Sequence, residues 1–194
     1  MVVILKFDSN VEEFYSTLFM ELNIDYKISL RENDISRAEY IILPDTDLLI
    51  KVIKKLQVMN LYSLLRMKKV PILGVNNGMV LMCNKIVDIN KTGLGFFNIN
   101  ANTISINDEK GEEIKETEFR KVDKSKLLTD TSEIVRFNKK KKYLKSNHFS
   151  TSKINIDKNE YSFIMEKDNY FGIQIDIKEN KDLFKKILTN FIKL

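Results

Sequence analysis

The segment from Pro71 to Met82 is the part of this chain whose residue spacing comes closest to that of a catalytic site. It reads PILGVNNGMVLM, an apolar run that ends in Gly74 to Gly78 and is followed at once by a second apolar run. A Gly-x-nucleophile-x-Gly step from a strand into a helix lifts a catalytic serine or cysteine out of a sheet in several classes of enzyme. The residue at the tip here is Asn76, whose carboxamide is not a nucleophile. The segment therefore predicts the joint of an enzyme without its reacting group.

The same segment has a second interpretation, as a β-hairpin. Asn77-Gly78 between two apolar runs is a strong signal for a two-residue turn, and short apolar runs cannot be assigned to strand or helix by periodicity. Residues 70–75 and 79–83 would then be paired strands. Asn76 suits both geometries, because asparagine is enriched among residues with positive φ. These residues alone leave both interpretations open.

The elements that must position this segment alternate between strands and helices. Apolar runs predict strands at Val2–Phe7, Asp25–Leu30, Tyr40–Leu43 and Val70–Val75. Helical periodicity predicts one helix capped by Ser9 or Asn10, a second capped by Asp45 or Thr46, a third around Leu61–Leu65 and a fourth beginning at Met79–Cys83. This alternation is typical of an α/β sheet with helices packed on its faces.

The pattern changes from about Ile86. Short alternating runs at residues 101–107, 113–122 and 142–149 are separated by polar clusters, which is typical of antiparallel β structure. Tyr161–Glu166 and Tyr170–Ile175 predict a hairpin, and the chain ends in an amphipathic helix from Leu183 to Ile192. No repeat or linker interrupts the chain, so we expect a single domain over residues 1–194.

Five blocks of the sequence together resemble the class I glutamine amidotransferases, and in particular the glutaminase (HisH-type) subunit of imidazole glycerol phosphate synthase. The blocks are AEYIILP at 38–44, PILGVNNGM at 71–79, GLGFF at 93–97, NHFS at 147–150 and FGIQI at 171–175. Their order and spacing cover nearly the whole chain. The resemblance implies a flavodoxin-like α/β fold, with a mostly parallel sheet, flanking helices and an antiparallel β portion in the C-terminal half. It also favours the elbow over the hairpin.

The resemblance implies a chemistry whose residues this chain lacks. In the family, a cysteine thiolate at the elbow attacks glutamine, and a histidine oriented by a glutamate activates the thiol. The ammonia released passes to a barrel-shaped synthase subunit. The matching positions here are Asn76 for the cysteine, Asp176 for the histidine and Lys178 for the glutamate. We therefore expect a degenerate triad and no catalytic residues.

The former oxyanion and elbow region is altered only in part. The family's Pro-Gly-x-Gly segment reads Pro44-Asp45-Thr46-Asp47 here. The residues that persist in the family's motifs, or accompany them at the elbow, are Gly74, Asn77, Gly78, Gly172 and Gln174. Loss of the reacting groups with retention of these residues predicts a preserved joint without its reaction.

No other side chain is expected to replace the lost groups. Cys83 stands among apolar residues and is interpreted as buried filler. His148, the sole histidine, does not fall on the catalytic position, and we interpret it, with Gln174, as a structural or interface residue. Glu179 lies one residue beyond the orienting glutamate position, but Asp176 leaves it no base to orient.

Composition and motifs argue against several other functions. The chain has no Cys/His cluster, no P-loop and no G-x-G-x-x-G, so we expect neither a metal nor a cofactor. The net charge of +5 is modest, and we interpret the basic run Lys139–Lys142 as a solvated turn, so we expect no nucleic-acid partner. No apolar run reaches the roughly 20 residues of a membrane span. A single cysteine fits a reducing, cytoplasmic compartment.

These observations lead to four hypotheses. The first is a pseudo-glutaminase that acts as a structural or regulatory subunit and docks a barrel-type cyclase or synthase as a heterodimer. The second is a subunit that supports ammonia-dependent synthesis in a complex like imidazole glycerol phosphate synthase, in histidine or related biosynthesis. The third is a small-ligand binding module whose pocket is rimmed by Asn76, Asp176 and Lys178. The fourth and weakest hypothesis is glutamine hydrolysis by rearranged residues.

Overall fold

Strands and helices alternate in the first half of the chain. The structure, a computed structural model, describes residues 1–8, 10–105, 114–129, 134–138, 142–146, 148–156 and 159–194. The first strands are β1 (Val2–Leu5), β2 (Tyr26–Ser29), β3 (Tyr40–Leu43) and β4 (Ile72–Val75). The helices between and after them are α1 (Asn10–Glu21), α2 (Glu32–Arg37), α3 (Leu49–Val58), α4 (Leu61–Met67) and α5 (Asn77–Leu81).

The second half is built from strands, followed by one helix. Two small sheets contain β5 (Cys83–Ile86), β6 (Lys91–Thr92), β7 (Phe97–Ala101), β8 (Thr103–Ser105) and β11 (Lys142–Leu144). The main sheet gains β9 (Ile114–Lys121), β10 (Ile134–Asn138), β12 (Ser150–Ile156), β13 (Asn159–Lys167) and β14 (Tyr170–Ile173). Helix α6 (Lys181–Phe191) follows.

In the described part of the chain, the main sheet has nine strands in the order β10-β9-β12-β13-β14-β4-β3-β1-β2. Strands β14, β4, β3, β1 and β2 run parallel, and the others continue the sheet in antiparallel pairs. Strand β14 returns to the middle of the sheet and pairs with β4, with Gly172 opposite Gly74. Because the carboxyl ends of parallel strands meet at one edge, the segments that follow β3, β4 and β14 converge there.

Both faces of the parallel strands are covered, as parallel sheets require. Helices α1 and α6 pack on one face over a cluster that includes Ile4 and Val75. Helices α2 to α5 pack on the other, over a cluster that includes Leu5 and Ile72. Successive residues of a strand point to opposite faces, so the continuous apolar run of β1 contributes to both clusters. The site edge therefore rests on strands that are buried on both sides.

The structure confirms most of the expected architecture. The mostly parallel sheet with flanking helices, the antiparallel C-terminal portion and the terminal helix are all present. The predicted hairpin forms between β13 and β14, with Asp168 at a φ of 53° in its turn. No helix within the described ranges is long and apolar enough to cross a membrane.

Two expectations about individual elements are wrong, and the structure decides the open choice between hairpin and elbow in favour of the elbow. Asn77-Gly78 is not a hairpin turn, because α5 begins at Asn77. Cys83 does not belong to that helix but opens β5. Neither Asp45 nor Thr46 is the N-cap of α3, which is Leu48 and makes no side-chain cap hydrogen bond. Thr46 Oγ1 instead accepts the Leu48 N–H at 3.1 Å.

One helix was not predicted, and several expectations lie outside the described residues. Helix α2 was missed because its six residues are mostly polar and bury only Ile35. Ser9, Lys139 to Lys141, Asn147 and the predicted strand residues 106, 107 and 113 are not among the described residues.

Candidate functional site

The backbone at Asn76 has the geometry of a strained elbow. Strand β4 ends at Val75, Asn76 has φ 48° and ψ −111°, and α5 begins at the next residue. This ψ lies outside the left-handed helical region, so the conformation is costly for any residue with a Cβ. Such a conformation costs of the order of 1–3 kcal/mol and persists only where surrounding contacts impose it. The strained joint is therefore present although no nucleophile occupies its tip.

Close backbone packing explains why the two glycines of the joint remain. A Cβ at Gly78 would lie 2.0 Å from the carbonyl oxygen of Leu43, at the end of β3. A Cβ at Gly74 would lie 2.7 Å from the carbonyl carbon of Gly78. Neither backbone atom can move without disturbing the sheet. The glycines serve the packing of α5 against the strand ends, which is independent of any reaction.

The side chain of Asn76 is fully engaged within the protein. Its Nδ2 donates to the carbonyl oxygen of Ile175 at 2.8 Å, and its Oδ1 accepts the N–H of Ile175 at 2.9 Å. The carboxamide thus behaves like a peptide unit and extends the β4–β14 pairing by one step, since the Asn76 N–H already donates to Ile173 at 2.8 Å. Only 9% of Asn76 is exposed.

Asp45 places a carboxylate on the backbone N–H that follows the elbow tip. Its Oδ1 accepts the N–H of Asn77 at 3.1 Å and that of Thr46 at 3.0 Å, while its Oδ2 accepts from Asn76 Nδ2 at 3.1 Å. In a nucleophile elbow, the N–H after the tip is an oxyanion donor. Here an internal negative charge already occupies that donor.

One further hydrogen bond links the β3 loop to this edge of the sheet. Asn77 Nδ2 donates to the carbonyl oxygen of Thr46 at 2.8 Å, whereas Asp47 is exposed. Beneath the loop, the buried hydroxyl of Tyr15 has no hydrogen-bond partner among the described residues. Burial raises the pKa of Tyr15, and the negative charge of Asp45 raises it further.

Asp176 is used locally, in the turn that leads to α6. Its Oδ1 accepts the backbone N–H groups of Lys178 at 3.1 Å and Glu179 at 3.3 Å. The side chains of Lys178 and Glu179 are exposed. Asn180 completes the turn, because its Nδ2 donates to the carbonyl oxygen of Asp176 at 2.7 Å. Asp176 is therefore a turn residue.

Cys83 is buried filler, as the sequence indicated. Its Sγ lies 3.7 Å from the carbonyl oxygen of Met79, and the residue is fully buried. Burial raises the pKa of the thiol to about 12. Since the thiolate is the reactive form of cysteine, this thiol is inert near neutral pH.

Gln174 and His148 occupy contrasting environments. Gln174 is buried, where its side chain pairs with both the N–H and the carbonyl oxygen of Leu144. His148 is exposed, and its backbone N–H donates to Ser146 Oγ at 3.1 Å. Gln174 is thus a packing residue of the sheet, whereas His148 faces solvent.

The structure brings some of the predicted positions together and leaves others apart. Asp45, Thr46, Asn76 and Asn77 form one hydrogen-bonded group. The carboxamide of Asn76, which we predicted to rim a ligand pocket with Asp176 and Lys178, is hydrogen-bonded to Ile175 and Asp45. Sequence reasoning missed Asp45 as the occupant of the elbow N–H. The signal was its place directly after β3, the neighbour of β4 in the sheet.

Comparisons with known proteins agree with this architecture. No protein-family model matches the chain. A relative from Methanococcus maripaludis, imidazole glycerol phosphate synthase subunit HisH 2, is 26% identical over 205 aligned positions, which cover 100% of this chain and 99% of the relative.

Solved structures share the fold at low sequence identity. A glutamine amidotransferase crystal structure aligns with a TM-score of 0.74 and 11% identity, over 99% of this chain and 97% of the other. A glutamine amidotransferase from Thermotoga maritima aligns with a TM-score of 0.58 and 15% identity, over 99% and 82%. The glutaminase domain of CTPS from Trypanosoma brucei, with bound acivicin, aligns with a TM-score of 0.59 and 11% identity, over 99% of this chain and 93% of the other.

Proposed function

We propose that this chain, a HisH-like member of the class I glutamine amidotransferase family, is a subunit that retains the fold but does not hydrolyse glutamine. One observation carries the proposal. At the elbow, where the family mechanism needs a free nucleophile beside a vacant oxyanion donor, Asn76 is hydrogen-bonded to Ile175 and the Asn77 N–H is bonded to Asp45.

The elbow lacks both requirements of acyl transfer. A carboxamide nitrogen is delocalised into its carbonyl and has no activated lone pair, so Asn76 cannot replace a thiolate. An oxyanion forming at the Asn77 N–H would meet the Asp45 carboxylate instead of an unoccupied donor. Like charges 4 Å apart repel by about 4 kcal/mol at an effective dielectric constant of about 20. The arrangement opposes the charge that the reaction would develop.

Among the residues that the structure describes, we find no nearby group that supplies a substitute. The thiol of Cys83 is buried and has a pKa raised to about 12. The Asp176 carboxylate could accept a proton, but Asn76 has no thiol or hydroxyl from which to take one. Rearranged residues therefore do not restore the chemistry.

A direct assay tests the loss of activity. Purified chain incubated with glutamine should release glutamate only at the uncatalysed rate, and Asn76→Cys should not increase that rate, because Asp176 stands in place of the histidine base. The double variant Asn76→Cys/Asp45→Gly clears the elbow N–H but still lacks a base, so it too should remain inactive. Glutamate release by the unmodified chain that disappears in Asn76→Ala would overturn the proposal.

We further propose that the chain docks a barrel-type synthase or cyclase subunit and supports its use of free ammonia. The HisH 2 relative is by name a synthase subunit. Two apolar side chains beside the elbow support a docking surface: Leu48 is 45% exposed and Ile50 is 43% exposed, directly after the β3 loop. Exposed apolar residues next to a polar rim are typical of interaction sites.

Co-purification tests the docking proposal. The chain should associate with a barrel-type cyclase at micromolar concentration and raise its ammonia-dependent rate. Leu48→Glu/Ile50→Glu should abolish both effects. Val58→Glu is the matched control, since Val58 lies on the same helix at its far end and is 87% exposed. Failure to associate, or equal loss in the control, would contradict docking at this edge.

A further inference from the structure

An open cavity of about 640 Å³ lies away from the elbow residues, between β7 and the loop that joins β11 to β12. Small-molecule sites in proteins commonly have volumes of about 300–1,000 Å³. We call this cavity the β7 pocket. Its lining residues are Asn98, Ile99, Asn100, Lys145, Ser146, His148 and Phe149.

The lining of the β7 pocket favours an anion. Among the described residues, the lining contains one lysine and the sole histidine of the chain, and no carboxylate. Lys145 Nζ makes a long contact of 3.4 Å with Asn159 Oδ1. The opposite wall is polar but neutral, because Asn98 and Asn100 lie two apart on β7 and are both exposed. Both carboxamides belong to residues that line the pocket.

Buried polar residues hold the backbone of Leu144 and Ser146, on either side of Lys145. The carbonyl oxygen of Ser146 accepts hydrogen bonds from Ser150 Oγ at 3.0 Å and Ser162 Oγ at 2.9 Å, and both serines are buried. Gln174 holds both backbone groups of Leu144, directly before Lys145. Buried, satisfied polar groups hold a backbone in one arrangement. A binding site needs such supporting residues to hold the side chains that contact the ligand in position.

The loop also holds a strained residue at the pocket. Phe149 has a φ of 62°, which is an outlier for a bulky side chain. Its ring packs 5.9 Å from that of Phe97, and Lys167 Nζ lies 5.4 Å above it. Backbone strain of this kind is concentrated at ligand clamps and other functional sites. Lys167 adds a further positive charge behind the pocket wall.

We propose that the β7 pocket binds a small polar metabolite through an anionic group, a phosphate or a carboxylate. Lys145 and His148 donate to the anionic group, Asn98 and Asn100 bind hydroxyl or carbonyl groups, and Phe149 packs against the body of the ligand. The site differs in residues and in position along the chain from the elbow. It goes beyond the proposed loss of glutamine hydrolysis and does not depend on it.

Calorimetric titration of the full chain tests this site with three probes: ribose 5-phosphate, 2-oxoglutarate and ribose. Ribose 5-phosphate carries a phosphate and 2-oxoglutarate carries carboxylates, so the two probes distinguish the two kinds of anionic group. Ribose is the uncharged control for ribose 5-phosphate. At least one anionic probe should bind, and ribose should not. Absence of binding by both anions at 10 mM probe, about the weakest affinity of interest, or equal binding of ribose and ribose 5-phosphate, would overturn the proposal.

Two variants localise the binding. Lys145→Gln and His148→Ala should each lower the affinity for the anionic probe about tenfold or more, because each variant loses one charge-assisted hydrogen bond. Lys51→Gln, at an exposed lysine on α3, is the matched control and should leave affinity unchanged. Both pocket residues are exposed, so the variants should unfold at the wild-type temperature. Unchanged affinity in both pocket variants, or equal loss in the control, would refute the assignment. None of these probes is a substrate of a glutaminase. A negative result in this titration therefore leaves the proposed function unaffected.

Discussion

The elbow around Asn76 and the β7 pocket are both rich in polar residues, but they use them in opposite ways. At the elbow, the carboxamide of Asn76 and the N–H of Asn77 are bonded to other parts of the protein. At the β7 pocket, buried residues hold the backbone while Lys145 and His148 project into the open cavity. A polar cluster therefore indicates a binding site only where its hydrogen-bonding capacity is not already consumed internally.

The elbow also separates architecture from chemistry. Gly74 and Gly78 are required by backbone packing, and the pairing of Asn76 with Ile175 ties the tip to the end of β14. An asparagine there stabilises the same strained joint that a catalytic cysteine would use for reaction. The contrast predicts that substitutions at the elbow reduce stability, whereas substitutions at the β7 pocket reduce binding.

The largest expected effect is that of Gly78→Ala. The added Cβ would lie 2.0 Å from the Leu43 carbonyl oxygen, so the free energy of unfolding should fall by about 4 kcal/mol or more. Chemical denaturation measures this. Gly95→Ala is the control, because its Cβ would meet only Asn84 Oδ1 at 3.9 Å and its cost is the φ of 75° alone, about 1 kcal/mol. Equal losses would show that the joint is not tightly packed.

Asn76→Ala should lower the free energy of unfolding by about 3 kcal/mol, because it leaves the buried N–H and carbonyl of Ile175 without partners. Asn23→Ala is the matched control. Asn23 has a similar φ of 51° but is exposed, so its replacement should cost less than about 1 kcal/mol. If Asn76→Ala were as stable as Asn23→Ala, the hydrogen bonds between Asn76 and Ile175 would not contribute to stability and the pairing would be refuted.

Asp45→Ala should lower the free energy of unfolding by about 2 kcal/mol, since the N–H groups of Asn77 and Thr46 lose their acceptor. Acetate should recover part of this loss in the variant but not in the wild type, because an added anion can replace the missing carboxylate. Asp47→Ala, at an exposed neighbour, should have no such effect. Thermal melts in an acetate series at constant ionic strength measure the difference.

The buried thiol of Cys83 should make the fold sensitive to alkaline pH. Its folded-state pKa is raised from 9.0 to about 12, so the unfolded state ionises first and stability falls as pH rises above 9. The contribution is about 1.4 kcal/mol for each pH unit between those values. Urea denaturation from pH 8 to 10 should show a smaller decline in Cys83→Ala. Identical slopes in the two proteins would contradict the burial of this thiol.

The smallest expected effect on stability is at the β7 pocket. Asn98→Ala and Asn100→Ala remove exposed carboxamides, so the free energy of unfolding should change by less than about 0.5 kcal/mol. The same variants should weaken binding of an anionic probe that carries hydroxyl groups. A loss of stability comparable to that of Asn76→Ala would mean that this wall is structural and would remove the contrast between the two regions.

Much of the elbow could be predicted from the sequence because its signals are local. The apolar run into Gly74, the residue types at the tip and the glycine that follows are read directly along the chain, and they indicated a joint without a nucleophile. The fold class followed from the alternation of strands and helices and from the resemblance of five blocks. The choice between hairpin and elbow was not local: the resemblance favoured the elbow, and the helix that begins at Asn77 confirms it.

The hydrogen-bond partners of the polar groups were decided only by the tertiary structure. Asp45 reaches Asn77, and Asn76 reaches Ile175 across 99 residues, because adjacent parallel strands bring their carboxyl ends to the same edge. The β7 pocket likewise joins residues of β7 to a loop about 45 positions later. The sequence by itself determined which chemical groups this protein has and which it lacks. Whether each group is satisfied internally or open to a ligand depends on long-range strand pairing, which no local pattern encodes.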